Sequence, residues 1–244
     1  MGLRAVVFGV LLLLLGSLSA WGQKQQHKNR RFPTLEEQLQ QHGIALTKAS
    51  LLSALHNPDV LVRYDAALKL AQDGQKDAVP AITEALVSEK QEQAIVNFAF
   101  ALAQLGDQKG REALRDACSN RDVSNPVRMD AARLLLTLQD ESCLSSVLDV
   151  LDSPNVAGRS QAMYLLPEFR TLSKADSDRS LNLLVKALND PSASIRIIAS
   201  DVLGKLGKTA AIPYLEAAVA AEQDDDVRSQ MQTDLRSLQV KQSH

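Results

Sequence analysis

The sequence predicts an all-α fold, an α-solenoid of about six helical hairpins. Three observations predict it: a two-helix unit that cannot bury its apolar faces alone, a phrase that recurs with a period in the thirties, and a composition suited to closely packed thin helices. The unit is clearest at residues 181–207. Leu181, Leu184, Val185 and Leu188 fall at helical spacing and give a short helix one apolar face. Asn189, Asp190, Pro191 and Ser192 supply turn chemistry. Ile195, Ala199, Val202, Leu203 and Leu206 mark a second helix, and Gly207 stands where a C-terminal glycine cap belongs. Such a hairpin needs copies of itself on each side.

Arg196 sets the register of those copies, with an apolar residue before it and Ala199 three residues on. The phrase returns at Val62-Arg63 with Ala66 and at Val127-Arg128 with Ala131, and more loosely at Arg159 with Ala162 and Arg228 with Met231. Gly74 and Gly207 lie eleven residues after their arginines, and the same count back from Gly106 lands on Ile95, a copy without the arginine. The anchors 63, 95, 128, 159, 196 and 228 are separated by 32, 33, 31, 37 and 32 residues. Pro80 and Pro213 each precede an anchor by fifteen, at the first turn of a first helix, where the missing N–H costs nothing. A fixed period with two helices per unit is the signature of a solenoid. Hydrophobic residues make up 45% of the chain and aromatic ones only 4%, which suits Ala, Leu and Val packing between thin helices rather than a globular enzyme core.

Helix, Asn/Asp-Pro turn, apolar-Arg, alanine-rich second helix and terminal glycine together resemble HEAT repeats, of the short kind named after phycobilisome lyases. The resemblance spans Thr47 to Leu238. It implies a right-handed superhelix with first helices on the convex side and second helices lining the concave side. The Trp/Gly/Tyr pattern of tetratricopeptide repeats is absent.

Three segments organise the chain: a signal peptide over 1–22, a basic tether over 23–33 and the solenoid over 34–240. Arg4 and the apolar run from Ala5 to Leu15 read as a secretory signal, and Ala20-Trp21-Gly22 fits the small-x-small cleavage rule. The protein is therefore expected outside the cytoplasm, periplasmic or extracellular. Lys24, Lys28, Arg30 and Arg31 give the tether its charge and offer a weak contact to an anionic surface. The part of the chain up to Pro33 holds five of the 27 basic residues and none of the 29 acidic ones, so the body is net acidic and suits no nucleic acid. Thr34 and Glu37 form a capping box for a helix over Leu35–Gln41 that covers the first repeat. The wide spacing between Arg159 and Arg196 predicts a protruding loop over 171–177, and Pro167 predicts an end or kink in the second helix of repeat four.

No catalytic, cofactor or metal assignment follows from the sequence. There is no phosphate loop, Ser/His/Asp spacing or Gly-rich cradle. The deoxyhypusine hydroxylases, whose fold is similar, hold iron through His-Glu pairs, and this chain has no His-Glu dipeptide. Cys118 and Cys143 lie ten and sixteen residues before their anchors, near opposite ends of neighbouring first helices. Two buried free thiols are expected there rather than a disulfide. Arg63, Arg128, Arg159, Arg196 and Arg228 repeat with the fold and are expected to form a structural ladder on turn groups such as Asp59 or Asp190.

Positions two, five and nine after each anchor share one face of the second helix, from Asp65, Leu68 and Gln72 in repeat one onward. Phe100, Arg133, Tyr164, Glu168, Asp201 and Lys205 are the candidate partner-binding residues of this band, aromatic and arginine anchors with a polar surround. The expected protein is a monomeric, non-catalytic scaffold for a protein partner. An accessory subunit or chaperone of a cofactor enzyme is the alternative. Mass spectrometry of the exported protein should find Gln23 at its N-terminus, and an intact Met1–Gly22 would contradict the cleavage rule applied here.

Overall fold

A computed structural model describes residues 32–242; the expected signal peptide and nearly all of the expected basic tether, residues 1–31, lie outside the described residues, as do residues 243–244. The described residues contain thirteen α-helices and no strand. The first, α1 (Leu35–Gln41), begins at the capping box: the Thr34 hydroxyl accepts from Glu37 N and the Glu37 carboxylate from Thr34 N. Six antiparallel hairpins follow. They are α2 (Lys48–Ala54) with α3 (Val60–Gln72), α4 (Val79–Ser88) with α5 (Glu92–Gln104), and α6 (Gln108–Ser119) with α7 (Asn125–Thr137). Then come α8 (Leu144–Leu151) with α9 (Val156–Leu165), α10 (Lys174–Ala187) with α11 (Ala193–Lys205), and α12 (Ile212–Ala221) with α13 (Asp225–Gln242).

Every second helix packs on the next one along the whole stack, α3 on α5 through to α11 on α13. Among first helices only α8 and α10 pack comparably. A stack held tighter on one side curves toward that side, so the second helices line the concave face of the α-solenoid. The core is one apolar seam in two stretches that meet at α5. Ala94, Phe98, Ala101 and Leu102 face repeats one and two, while Val96, Ala99 and Ala103 face the rest. Phe98 is the largest fully buried side chain, and most of its neighbours are Ala, Leu and Val. Small side chains let neighbouring helices approach closely, which is how a chain so poor in aromatics still closes its interior.

Helix ends follow the turn chemistry of the sequence. Pro80 and Pro213 sit in the first turns of α4 and α12. Gly74, Gly106 and Gly207 take left-handed backbone (φ 67°, 89° and 62°) just past α3, α5 and α11, a conformation that costs a side-chain-bearing residue about 1 kcal/mol. Repeat three puts Gln139 at that offset, with φ 59°. Pro167 ends α9 at Leu165 and starts a 3₁₀ turn over Leu166–Glu168. The loop expected over 171–177 is corrected: Ser173 caps α10, accepting from Asp176 N, and residues 174–177 are its first turn. The extra length of repeat five lengthens a helix rather than protruding.

Gly110 marks a very close helix crossing. A Cβ there would press on the Ala99 and Ala103 backbone and on Leu102 Cβ, so α6 lies directly against α5. Neither backbone can yield without moving its helix. Gly110→Ala is expected to lower the unfolding free energy by about 1–3 kcal/mol, as overpacking does, in a denaturant titration; an unchanged midpoint would mean the helices can separate at no cost.

Candidate functional site

The five anchor arginines all lie at the first turn of a second helix, and the contacts of four of them follow one rule. Arg63, Arg159, Arg196 and Arg228 each donate through Nη1 to the backbone carbonyl six residues earlier, at Asn57 (2.9 Å), Ser153 (3.0 Å), Asp190 (2.9 Å) and Glu222 (2.7 Å). That carbonyl belongs to the turn inside the hairpin. The side chain at the same offset in the following repeat completes the link: Glu89 accepts from Arg63, Asp190 from Arg159 (2.7 Å) and Glu222 from Arg196 (2.6 Å). Asp190 and Glu222 thus each serve two repeats, through carbonyl and carboxylate. Asp59, expected among these partners, instead caps α3, its carboxylate accepting from Leu61 N.

The electrostatics match the geometry. Arg196 and two backbone N–H groups hold the Glu222 carboxyl down at about 2. Glu89 is also held below its ordinary value: the Arg63 bond and the Lys90 and Gln91 amides outweigh its burial. Asp190 is one methylene shorter and reaches only Nη2 of Arg159, leaving Arg159 Nε buried without an acceptor. Repeat four carries Ser153 at the acidic offset, so Arg128, only 5% exposed, has no carboxylate. It donates instead to Cys118 O (3.1 Å) and Asn125 Oδ1 (3.3 Å), and burial lowers its pKa.

The cysteines correct a second expectation. Cys118 and Cys143 form a disulfide with Cα atoms 6.3 Å apart. The six-residue offset assumed straight neighbouring helices in register. In fact the segment after α7 runs alongside α6 before α8 begins: Arg111 donates to Leu138 O at 3.2 Å and Arg115 pairs with Asp140 at 2.6 Å. The start of α8 is thereby carried to the end of α6.

On the concave face, three of the six candidate residues converge. Arg133 on α7, Tyr164 on α9 and Glu168 on the following 3₁₀ turn line one open cavity of about 680 Å³ between repeats three and four. Tyr164 is 54% exposed, its ring offered to solvent. Arg133 is anchored by Asp130, whose carboxylate also accepts from Gln93 at 2.6 Å. The remaining candidates do not join this cavity. Asp201 pairs with Lys205 at 2.7 Å and holds its ammonium above the ordinary value. Phe100 is half-buried and packs against the core. Asp65, at the equivalent of Asp130, is buried, and desolvation pushes its carboxyl up to about 6.

Residues the periodic reading passed over complete the cavity: Gln139, Glu141 and Arg170, all outside α-helices. Glu141 accepts from Arg170 N (3.0 Å), Thr171 N (3.2 Å) and the Thr171 hydroxyl (2.8 Å), which hold its carboxyl below the ordinary range. Gln139 and Arg170 carried a signal. Both stand eleven residues after their anchors, where repeats one, two and five have glycine. Among the described residues no group of His, Cys, Asp and Glu is arranged to hold a metal ion.

A family model described as HEAT repeats matches residues 49–135 and 144–236. No curated protein matches the sequence. Among solved structures, YibA of Escherichia coli is 17% identical, with 85% of this chain and 99% of that one covered and a TM-score of 0.48. A designed armadillo repeat protein in complex with a (KR)4 peptide is 18% identical over 77% and 98%, at 0.48. The complex of CpcE and CpcF of phycocyanin lyase from Nostoc sp. PCC7120 is 21% identical over 86% and 99%, at 0.38.

The bare Nε of Arg159 makes a direct test of the ladder rule. Asp190→Glu restores the length that Glu89 and Glu222 use to bridge two guanidinium nitrogens. It is expected to add about 1 kcal/mol and raise the melting temperature by about 2–4 °C. A lower melting temperature would show that the shorter side chain is required at this turn.

Proposed function

This chain belongs to the HEAT-repeat family, and on that premise we propose that it is a non-catalytic scaffold that binds a protein partner through its concave second-helix face. The reading rests on the cavity where Tyr164, Arg133 and Glu168 stand together. A half-exposed aromatic ring beside an arginine fork, edged by polar side chains, is the composition that dominates binding hot spots. The ladder arginines support it by contrast. Apart from Arg128, which donates to Cys118 O and Asn125 Oδ1, they donate to turn carbonyls and carboxylates and so serve the stack, whereas the Tyr164 ring faces solvent.

The proposed place of action is outside the cytoplasm. The apolar run from Ala5 to Leu15 followed by Ala20-Trp21-Gly22 supports export, and so does the Cys118–Cys143 disulfide, which persists in oxidising compartments.

A photo-crosslinking residue at position 164 in the exported protein, with one at Lys186 as control, identifies what sits on each face. Lys186 lies on α10 and pairs with Asp152 at 2.7 Å, away from the cavity. With the captured partner purified, Tyr164→Ala and Arg133→Ala are each expected to weaken binding by about 1–3 kcal/mol without changing the melting temperature. Lys186→Ala is expected to change nothing. Weakening by Lys186→Ala alone would assign the binding face to the first helices.

A further inference from the structure

We infer that the Cys118–Cys143 bond positions one wall of the Tyr164 cavity, and through Glu141 the other wall as well. The inference concerns the cavity on which the proposed function rests, but not what binds there. Residues 138–143 connect α7 to α8 and carry Gln139 and Glu141 into the cavity lining. Three links fasten this segment to α6: Arg111 to Leu138 O, Arg115 to Asp140, and Cys118 to Cys143. Arg111, Arg115 and Cys118 are spaced four and three apart, so they share one face of α6. Their partners ascend in the same order. The segment is therefore laid along α6 like a rail, in one direction and one register.

The far wall hangs on the near one. Glu141, two residues before Cys143, grips the amides of Arg170 and Thr171 and the Thr171 hydroxyl. Arg170 and Glu168 belong to that far wall. One carboxylate therefore joins the two walls, and its own backbone is fixed by what holds residues 138–143. The three links are unequal. Arg115 is 42% exposed although Asp140 is only 8%, so this non-covalent pair has a partner that water can reach and compete for. The disulfide does not open, and both its cysteines are only 2% exposed. The covalent link sets where Glu141 stands, and hence how far apart Arg133 and Arg170 are held.

Amide exchange followed by NMR on the full chain tests this without a partner, so its outcome is independent of whether a protein binds there. Oxidised wild type is compared with Cys118→Ala/Cys143→Ala at a temperature where circular dichroism shows both folded. The expected result is exchange about tenfold faster at residues 138–143 and at Arg170 and Thr171, with the amides of α3 and α11 unchanged. Unchanged rates at Arg170 and Thr171 would overturn the inference. So would equal acceleration in all six hairpins, which would make the disulfide a general staple. Glu141→Ala with the disulfide intact keeps the question open to measurement if the double variant does not fold. It should free Arg170 and Thr171 while leaving 138–143 slow, and slow exchange at all of them would show that Glu141 is not the link.

Discussion

The structure depends on one guanidinium placed where two repeats meet. A helical hairpin leaves the carbonyls of its internal turn without partners, because the turn interrupts the helical ladder. The anchor arginine donates to that carbonyl from the next helix, and its remaining nitrogens take a carboxylate from the turn of the following repeat. Arginine suits this place because its planar fork reaches both acceptors at once, and lysine would not. The pairs are largely buried, Glu89 being 5% and Glu222 6% exposed. Removing one partner of a buried pair typically costs about 3–5 kcal/mol, mostly through the charge left behind. The ladder therefore fixes register between hairpins more than it adds net stability.

The fold was legible because its information is local and repeated. Apolar spacing gave the helices, Pro80 and Pro213 their starts, and Gly74, Gly106 and Gly207 their ends. The capping box at Thr34 and the stop at Pro167 need only neighbours in sequence, and both stand as read. The reading failed once on a local cap and once on geometry between repeats. The 171–177 segment has polar, loop-like residues, but Ser173 is an N-cap, and a cap turns such a segment into helix. The disulfide was misjudged because periodicity puts neighbouring first helices in register, and it does not reveal that residues 138–143 run along α6.

The candidate site was legible in part, for the same reason. Arg133 and Tyr164 share an offset on successive second helices, so the repeat alone brings them together. Asp65 and Asp130 share an offset too, yet Asp65 is buried and Asp130 holds Arg133. An offset fixes direction, not depth, and depth varies along a curved stack. Glu141 lies in a connection and was invisible to a periodic argument. Gln139 and Arg170 were visible only as departures: a polar side chain where other repeats need glycine. In a solenoid the repeats encode the stack, and the departures from the repeat point to where the stack does something else.

The five joints show this when they are compared. Repeats one and two, four and five, and five and six are joined by an anchor arginine and an acidic turn residue. The joint between repeats two and three has neither half of a working pair. Ile95 replaces the arginine, and Asp122 is left exposed. There the close approach of α6 at Gly110 and the Glu92–Ser124 and Gln93–Asp130 hydrogen bonds take over. The joint between repeats three and four keeps Arg128 but has Ser153 for the carboxylate. Its substitutes are Arg115–Asp140, Arg121–Asp149 and the disulfide. Arg121 reaches Asp149 of α8 from the hairpin turn of repeat three, while Arg115–Asp140 and the disulfide fasten the segment after α7 along α6. That segment carries Gln139 and Glu141, which line the cavity with Arg170. The joint that lacks the ladder's carboxylate is thus also the one whose substitute links fix a segment of the concave rim.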